Sequence, residues 1–239
     1  WAGAKGGTAK KKKRKPKVYT KKQLAAYQGD SKVLLLAVLG KVFDVSKGRK
    51  YYGKGGGYSG FTGRDGSRAF QTGDFTDKGL TDDLEGMTYE HLAAVEGWRK
   101  FYVTSKKYKF RGWVAGRFYD SEGKPTEELK RVESAVAEYR TFEEQQKLEE
   151  QKYQRCNSNF TKEEGGYVWC PYHQLPRKLL TPVPGGGNKE RCACFKESEL
   201  YPDDQNQSDR MAFDIKGMME IYDACSPNSR TCRHSHPTT

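Results

Sequence analysis

Val42-Phe43-Asp44-Val45-Ser46-Lys47-Gly48-Arg49-Lys50-Tyr51-Tyr52-Gly53-Lys54-Gly55-Gly56-Gly57-Tyr58-Ser59-Gly60-Phe61-Thr62-Gly63-Arg64-Asp65 is the stretch that decides the reading of this chain. A β-branched and aromatic run gives way to glycines at 53, 55, 56, 57, 60 and 63. A glycine-rich loop can cradle phosphate with its amides. No Gly-Lys-Ser/Thr follows, however, and no strand–GxGxxG–helix context surrounds it, so a nucleotide is not indicated. Tyrosines are dense here at 51, 52 and 58, with Tyr102 and Tyr108 later. Glycines beside aromatic rings let a large flat ligand approach the backbone closely.

Working outward, Thr20 is placed to cap a short helix over 21–27. The β-rich runs 33–39 and 41–45 flank Gly40 and predict two strands. Short helices are expected over 67–71 and 80–84. A longer one is expected over 88–102, capped by Thr88, with Leu92, Val95 and Trp98 on one face. Residues 108–119 predict a strand pair, and Asp120-Ser121-Glu122-Gly123-Lys124-Pro125 a turn that closes the domain. Residues 126–154 are almost free of Gly and Pro, and Leu129, Val132, Val136 and Tyr139 recur at helical spacing. The first half of that helix is expected to pack on the domain and the second half to project into solvent.

Charge and cysteine divide the 239 residues. Ten of the 43 Lys and Arg fall in residues 1–22 with no acid, leaving 33 basic against 31 acidic residues elsewhere. The folded part is therefore nearly neutral and does not read as a nucleic-acid binder. The longest apolar run, 33–39, is far short of the roughly 20 residues that a membrane span needs. All six cysteines, 156, 170, 192, 194, 225 and 232, follow residue 155. An even count in a loop-rich segment predicts disulfides and an oxidising compartment, with the pairing left open. Zinc is the rival, since His173, His234 and His236 lie nearby, but the one close pair is Cys192-Ala193-Cys194 rather than a zinc knuckle. Two Asn-x-Ser/Thr sequons, at Asn159 and Asn206, share this segment. The domains expected are a disordered basic tail (1–17), a binding domain (18–120), a long amphipathic helix (121–154) and a cysteine-rich module (155–239).

The segment 42–49, followed by Tyr52, Tyr58 and Gly63-Arg64-Asp65-Gly66-Ser67-Arg68-Ala69, resembles the cytochrome b5-like haem/steroid-binding domain in its membrane-associated progesterone receptor branch. The resemblance covers about residues 18–119. Gly116-Arg117-Phe118-Tyr119, Pro125-Thr126, the long helix and the six-cysteine tail extend it, past residue 18, to a secreted haem-binding member of that branch. The fold class implied is α+β: a cytochrome b5-like haem-binding domain, then a long helix and an irregular disulfide-rich C-terminal module.

Ordinary cytochrome b5 clamps haem between two histidines, one in a His-Pro-Gly-Gly loop. Here no histidine precedes His91, and Tyr52-Gly53-Lys54-Gly55 stands where that loop would lie, which excludes such a clamp. The resemblance implies instead that Tyr58 supplies a phenolate ligand to ferric haem b. It makes Tyr52 a hydrogen-bonding neighbour, and sets Lys107 and Tyr108 on the opposite wall, where they can donate to a propionate. The plainer alternatives are that Tyr58 and Tyr52 are packing aromatics and Lys107 a solvated lysine. Arg64-Asp65 is expected to be a structural ion pair or helix cap, and His91 a helix-surface histidine.

The function expected is therefore that of a non-enzymatic, secreted or endomembrane haem-binding protein. The resemblance implies a signalling role in neuronal differentiation, through a receptor the sequence does not name, and leaves a haem-mediated dimer open. The alternatives are a cytochrome b5-like electron-transfer partner and a steroid or small-molecule-binding module. No Ser-His-Asp set, paired-carboxylate motif or metalloprotease helix is present to suggest an enzyme.

Overall fold

The computed structural model of the chain describes residues 16–161, 165–201, 218–223 and 225–234. The basic tail expected over 1–17 falls outside them up to residue 15, as do the Asn206 sequon and His236, while Lys17 opens the first strand. The described residues divide into two compact units, one ending at Val136 and the other beginning at Ala137.

In the first unit, β1 (Lys17–Tyr19), β2 (Leu35–Val38), β3 (Lys41–Asp44) and β4 (Lys109–Val114) form one sheet in the order β1-β4-β3-β2. Helix α1 (Lys21–Ala25) starts at Thr20 with a capping box, in which Thr20 and Gln23 each bond the other's backbone N–H. Helices α2 (Arg49–Tyr52), α3 (Ala69–Thr72) and α4 (Tyr89–Thr104) follow, and Thr88 caps α4 as expected. Leu34, Leu36, Val38, Phe43, Leu92, Val95 and Phe118 are fully or almost fully buried in the main core.

The two strands either side of Gly40 are an antiparallel hairpin, and both turn residues, Leu39 (φ 46°) and Gly40 (φ 73°), are left-handed. Such a turn suits the twist of the flanking strands but strains a leucine. What holds it lies 25 residues on. Asp65 Oδ2 accepts from the Gly40 amide at 2.7 Å, and Ser67 Oγ accepts from the Leu39 amide at 2.7 Å. Ser67 Oγ also donates to Asp65 Oδ1 at 2.5 Å. The Arg64-Asp65 pair is therefore not an ion pair with itself: Arg64 reaches Asp77 at 2.8 Å, and Asp65 is a buried clamp on the turn. Burial outweighs these hydrogen bonds and pushes the Asp65 carboxyl up to about 6.

Because folding raises this pKa, the protonated form is the one folding favours. The contribution of Asp65 to stability is complete below pH 3.8 and is lost as pH rises through about 6. An NMR titration of the Asp65 carboxyl carbon is expected to give a midpoint near 6, and a midpoint near 3.8 would contradict this.

Three expectations are corrected. Residues 80–84 are irregular, with a bend over 80–82, and not a helix, because Thr81 and Asp83 side chains take the amides of Asp83 and Glu85, in competition with helical bonding. Residues 108–119 give one strand, β4, with only an isolated bridge from Tyr119 to Pro125. The long helix, α5 (Glu127–Lys152), does not end in solvent. Leu129, Val132, Ala135 and Val136 join the core of the first unit. In the second unit Tyr139 and Phe142 are buried, Glu149 lies 3.5 Å from Arg191, and Tyr153, just past the helix, packs on Phe195 at 4.6 Å between ring centres.

The second unit is more regular than its turn-rich composition suggests. Strands β5 (Asn157–Thr161), β6 (Gly165–Trp169), β7 (Gln174–Pro182), β8 (Asn188–Lys196), β9 (Met219–Glu220) and β10 (Thr231–His234) make two three-stranded sheets, β10-β6-β5 and β8-β7-β9. Helix α6 (Glu197–Leu200) follows β8. Cys192 and Cys194, two apart on β8, share one face of the strand. They bond Cys156, just before β5, and Cys170, just after β6, so two adjacent bridges tie the sheets together. Cys225–Cys232 closes a short loop. The sulfurs of Cys156, Cys170 and Cys194 lie within 4.8 Å of one another, but all six cysteines are oxidised and leave no thiolate for zinc.

Candidate ligand-binding site

The glycine-rich loop folds back onto the short helix that precedes it. Gly53 ends α2, and the Tyr58 amide donates to the Tyr51 carbonyl at 2.9 Å. The far end of the loop is pinned to the sheet, since the Gly63 amide donates to Leu35 and the Ala37 amide to Arg64. This backbone path sets the Tyr58 ring 6.1 Å from that of Tyr52. Tyr108, one residue before β4, packs edge-on against Tyr52 at 5.9 Å. Three of the four residues singled out from the sequence thus meet, and the fourth, Lys107, holds its ammonium 5.4 Å from the Tyr108 ring centre and 5.6 Å from that of Tyr51.

Gly48 makes this meeting sterically allowed. A methyl group at that position would stand 2.9 Å from the Tyr52 ring and 3.0 Å from the Tyr108 hydroxyl. Its φ of −100° is ordinary, so the need for glycine here is one of space.

The five tyrosines of the site differ in chemistry. Tyr52 is buried and its hydroxyl lies 2.8 Å from that of buried Tyr102. Burial pushes the Tyr52 phenol up to about 12 and that of Tyr102 higher still, so both remain protonated donors. Tyr108 is also buried. Tyr58 is the opposite case: it is 46% exposed, its ring leans edge-on against Phe61 and Phe75, and its hydroxyl has no hydrogen-bond partner among the described residues. Tyr51, at the rim, has its phenol pKa lowered by a hydrogen bond from Lys50 and by the Lys50 and Lys107 charges.

Residues the sequence reading did not assign complete the wall. Phe61 packs on Phe70 at 4.5 Å, Phe70 on Trp98 at 5.6 Å, and Trp98 on Phe101 at 5.8 Å. Trp98, expected on the core face of α4, is 43% exposed and belongs to this aromatic surface. Its spacing with Phe101 and Tyr102, three and four residues apart on one helix, is the signal that could have found the wall. The whole is an apolar aromatic face edged by phenols and ammonium groups, with one phenol, unpartnered among the described residues, projecting from it. His91 lies in the first turn of α4, where its amide is capped by Thr88, and has no part in the wall.

Residues 20–115 match the model of the cytochrome b5-like heme/steroid-binding domain. Beyond that domain, the chain is 38% identical to neuferricin of Danio rerio and 37% identical to neuferricin of Mus musculus, in each case over 90% of this chain and 78% and 85% of the relative. This chain belongs to the neuferricin family. The family lies in the membrane-associated progesterone receptor branch, and "membrane-associated progesterone-binding protein 4" of Arabidopsis thaliana is 41% identical over 91% of this chain and 84% of that protein. The matches therefore take in the long helix and the disulfide-bonded unit as well as the b5-like domain.

Removing the Tyr102 hydroxyl is expected to weaken the site from behind. Tyr102→Phe leaves the buried Tyr52 hydroxyl without its partner, at a cost of about 1–2 kcal/mol in folding stability. Chemical denaturation of the two proteins checks this, and an unchanged midpoint would show that the pair carries no weight.

Proposed function

We propose that this protein binds ferric haem b on the aromatic face of the first unit, with the Tyr58 phenolate as the iron ligand. The single observation that carries the reading is Tyr58 itself: a half-exposed phenol with no hydrogen-bond partner among the described residues, on an aromatic face edged by buried phenol donors. The loops that meet there, 48–63 and 105–110, contain no histidine. Phenolate is a hard anionic donor that favours ferric iron, and a bound metal lowers the pKa of the phenol it takes. In this reading Tyr52 hydrogen-bonds the ligand environment, and Lys107 and Tyr108 donate to a carboxylate at the edge of the face. The bound group supplies redox-capable iron. The chain supplies an apolar platform, an anionic ligand and edge charges, and this is binding machinery rather than a catalytic set.

The three disulfides support passage through an oxidising lumen, hence a secreted or endomembrane location. Among the described residues no helix is long and apolar enough to cross a membrane. A signalling role through a protein receptor, in neuronal differentiation, rests on the family resemblance.

The test is an absorption spectrum of the full chain expressed with ample haem precursor. A Soret band that copurifies with the protein in a fixed ratio is expected. A chain that purifies colourless, and takes up no haem when titrated, overturns the reading and leaves a pocket for a steroid or another flat apolar molecule.

A further inference from the structure

We infer that Asn159 is an N-glycosylation site, and that its glycan lies over an exposed aromatic face of the second unit. The inference rests on the lumenal passage proposed above. Asn159-Phe160-Thr161 is the acceptor triplet, and it forms the end of β5, which among the described residues is an edge strand whose residues are all exposed. The register makes the surroundings specific. Asn159 lies directly opposite Tyr167 on β6, and Tyr167 lies opposite Arg233 on β10. Asn157 lies opposite Trp169, and Trp169 opposite Thr231.

Side chains alternate across a sheet, so Asn157, Asn159, Tyr167, Trp169, Thr231 and Arg233 share one face. The other face carries buried Val168 and Cys232 and is the inner one. On the outer face Arg233 Nε donates to the Tyr167 hydroxyl at 2.9 Å and its guanidinium lies against that ring, while Trp169 remains 37% exposed. Two aromatic rings on a solvent-facing sheet are an aggregation liability. A sugar chain rooted beside them covers both rings with its own apolar C–H faces.

The reaction is a transfer from a polyprenyl-pyrophosphate-linked oligosaccharide. The Asn159 side-chain nitrogen forms the bond to the anomeric carbon, the anomeric carbon–oxygen bond breaks, the lipid pyrophosphate leaves, and one amide proton passes to the transferase. The transferase reads the triplet in the extended chain, and the exposure of Asn159 lets the fold form around the product.

The full chain, secreted from a eukaryotic host, is treated with peptide:N-glycosidase and compared by mass with Asn159→Gln, Thr161→Ala and Asn206→Gln variants. Alkylation without reductant reports the cysteines in the same samples. Asn159→Gln and Thr161→Ala are expected each to lose one glycosidase-sensitive glycan that Asn206→Gln keeps, with the cysteines oxidised throughout. An unmodified Asn159 in a chain with oxidised cysteines overturns this inference alone. An unmodified Asn159 in a chain with free thiols overturns it together with the lumenal location.

Discussion

Tyr58→Phe is expected to abolish tight haem binding while the protein stays folded. The substitution keeps the ring, and so keeps the edge contacts with Phe61 at 6.2 Å and Phe75 at 5.8 Å. It deletes one oxygen that has no hydrogen-bond partner among the described residues, so folding stability should move by less than about 0.5 kcal/mol. The iron–oxygen bond, by contrast, disappears altogether. A loss of affinity of 100-fold or more is expected, with the ferric phenolate charge-transfer band gone. Haem titration followed at the Soret band measures both. Tyr52→Phe should fall between the variant and the parent, since Tyr52 tunes the ligand without bonding the metal. His91→Ala should change neither property. Unchanged affinity and spectrum in Tyr58→Phe would contradict the assignment.

The second large effect is expected from β8. Replacing Cys156, Cys170, Cys192 and Cys194 together with serine removes both bridges between the two sheets. The loss of one native bridge from a small module costs about 2–5 kcal/mol, and these two close segments of 36 and 24 residues. The hydrophobic clusters of the second unit are small: one is Val168, Cys192, Tyr222 and Cys232, so the bridges are themselves part of the core. Amides of β6, β7 and β8 should exchange at unfolded rates in this variant. Amides of β2 and β3 should stay protected, because Leu36, Val38 and Phe43 draw their packing from the first unit. Haem uptake should survive. Protected β7 and β8 amides in the variant would show that hydrophobic packing alone holds the module.

What could be read from the sequence follows the range of the interactions. Caps are local, and Thr20 and Thr88 announced α1 and α4. The period of 3.6 announced α5, but not what covers its second half, because Arg191, Phe195 and Met219, gathered about that end, lie 40 or more residues downstream. The hairpin about Gly40 was visible as two β-rich runs, while its clamp by Asp65 and Ser67 was not, since side-chain bonds across 25 and 28 residues leave no periodic trace. Tyr52, Tyr58 and Tyr108 stood out through their motif, and the structure brings them together. Phe61, Phe70 and Phe75 did not, because a phenylalanine in a loop or short helix reads as core until its neighbours are known. The strands of the second unit were hidden by composition: β5 is wholly exposed, and β7 contains Pro176 and ends at Pro182.

Resonance Raman spectroscopy of the haem-loaded full chain, excited in its charge-transfer band and repeated with ring-deuterated tyrosine, tests the central claim most directly. The account predicts phenolate ring modes that shift with the label, persist in Tyr52→Phe and vanish in Tyr58→Phe. A haem spectrum without tyrosine modes, insensitive to the label and unaltered in Tyr58→Phe, would contradict it.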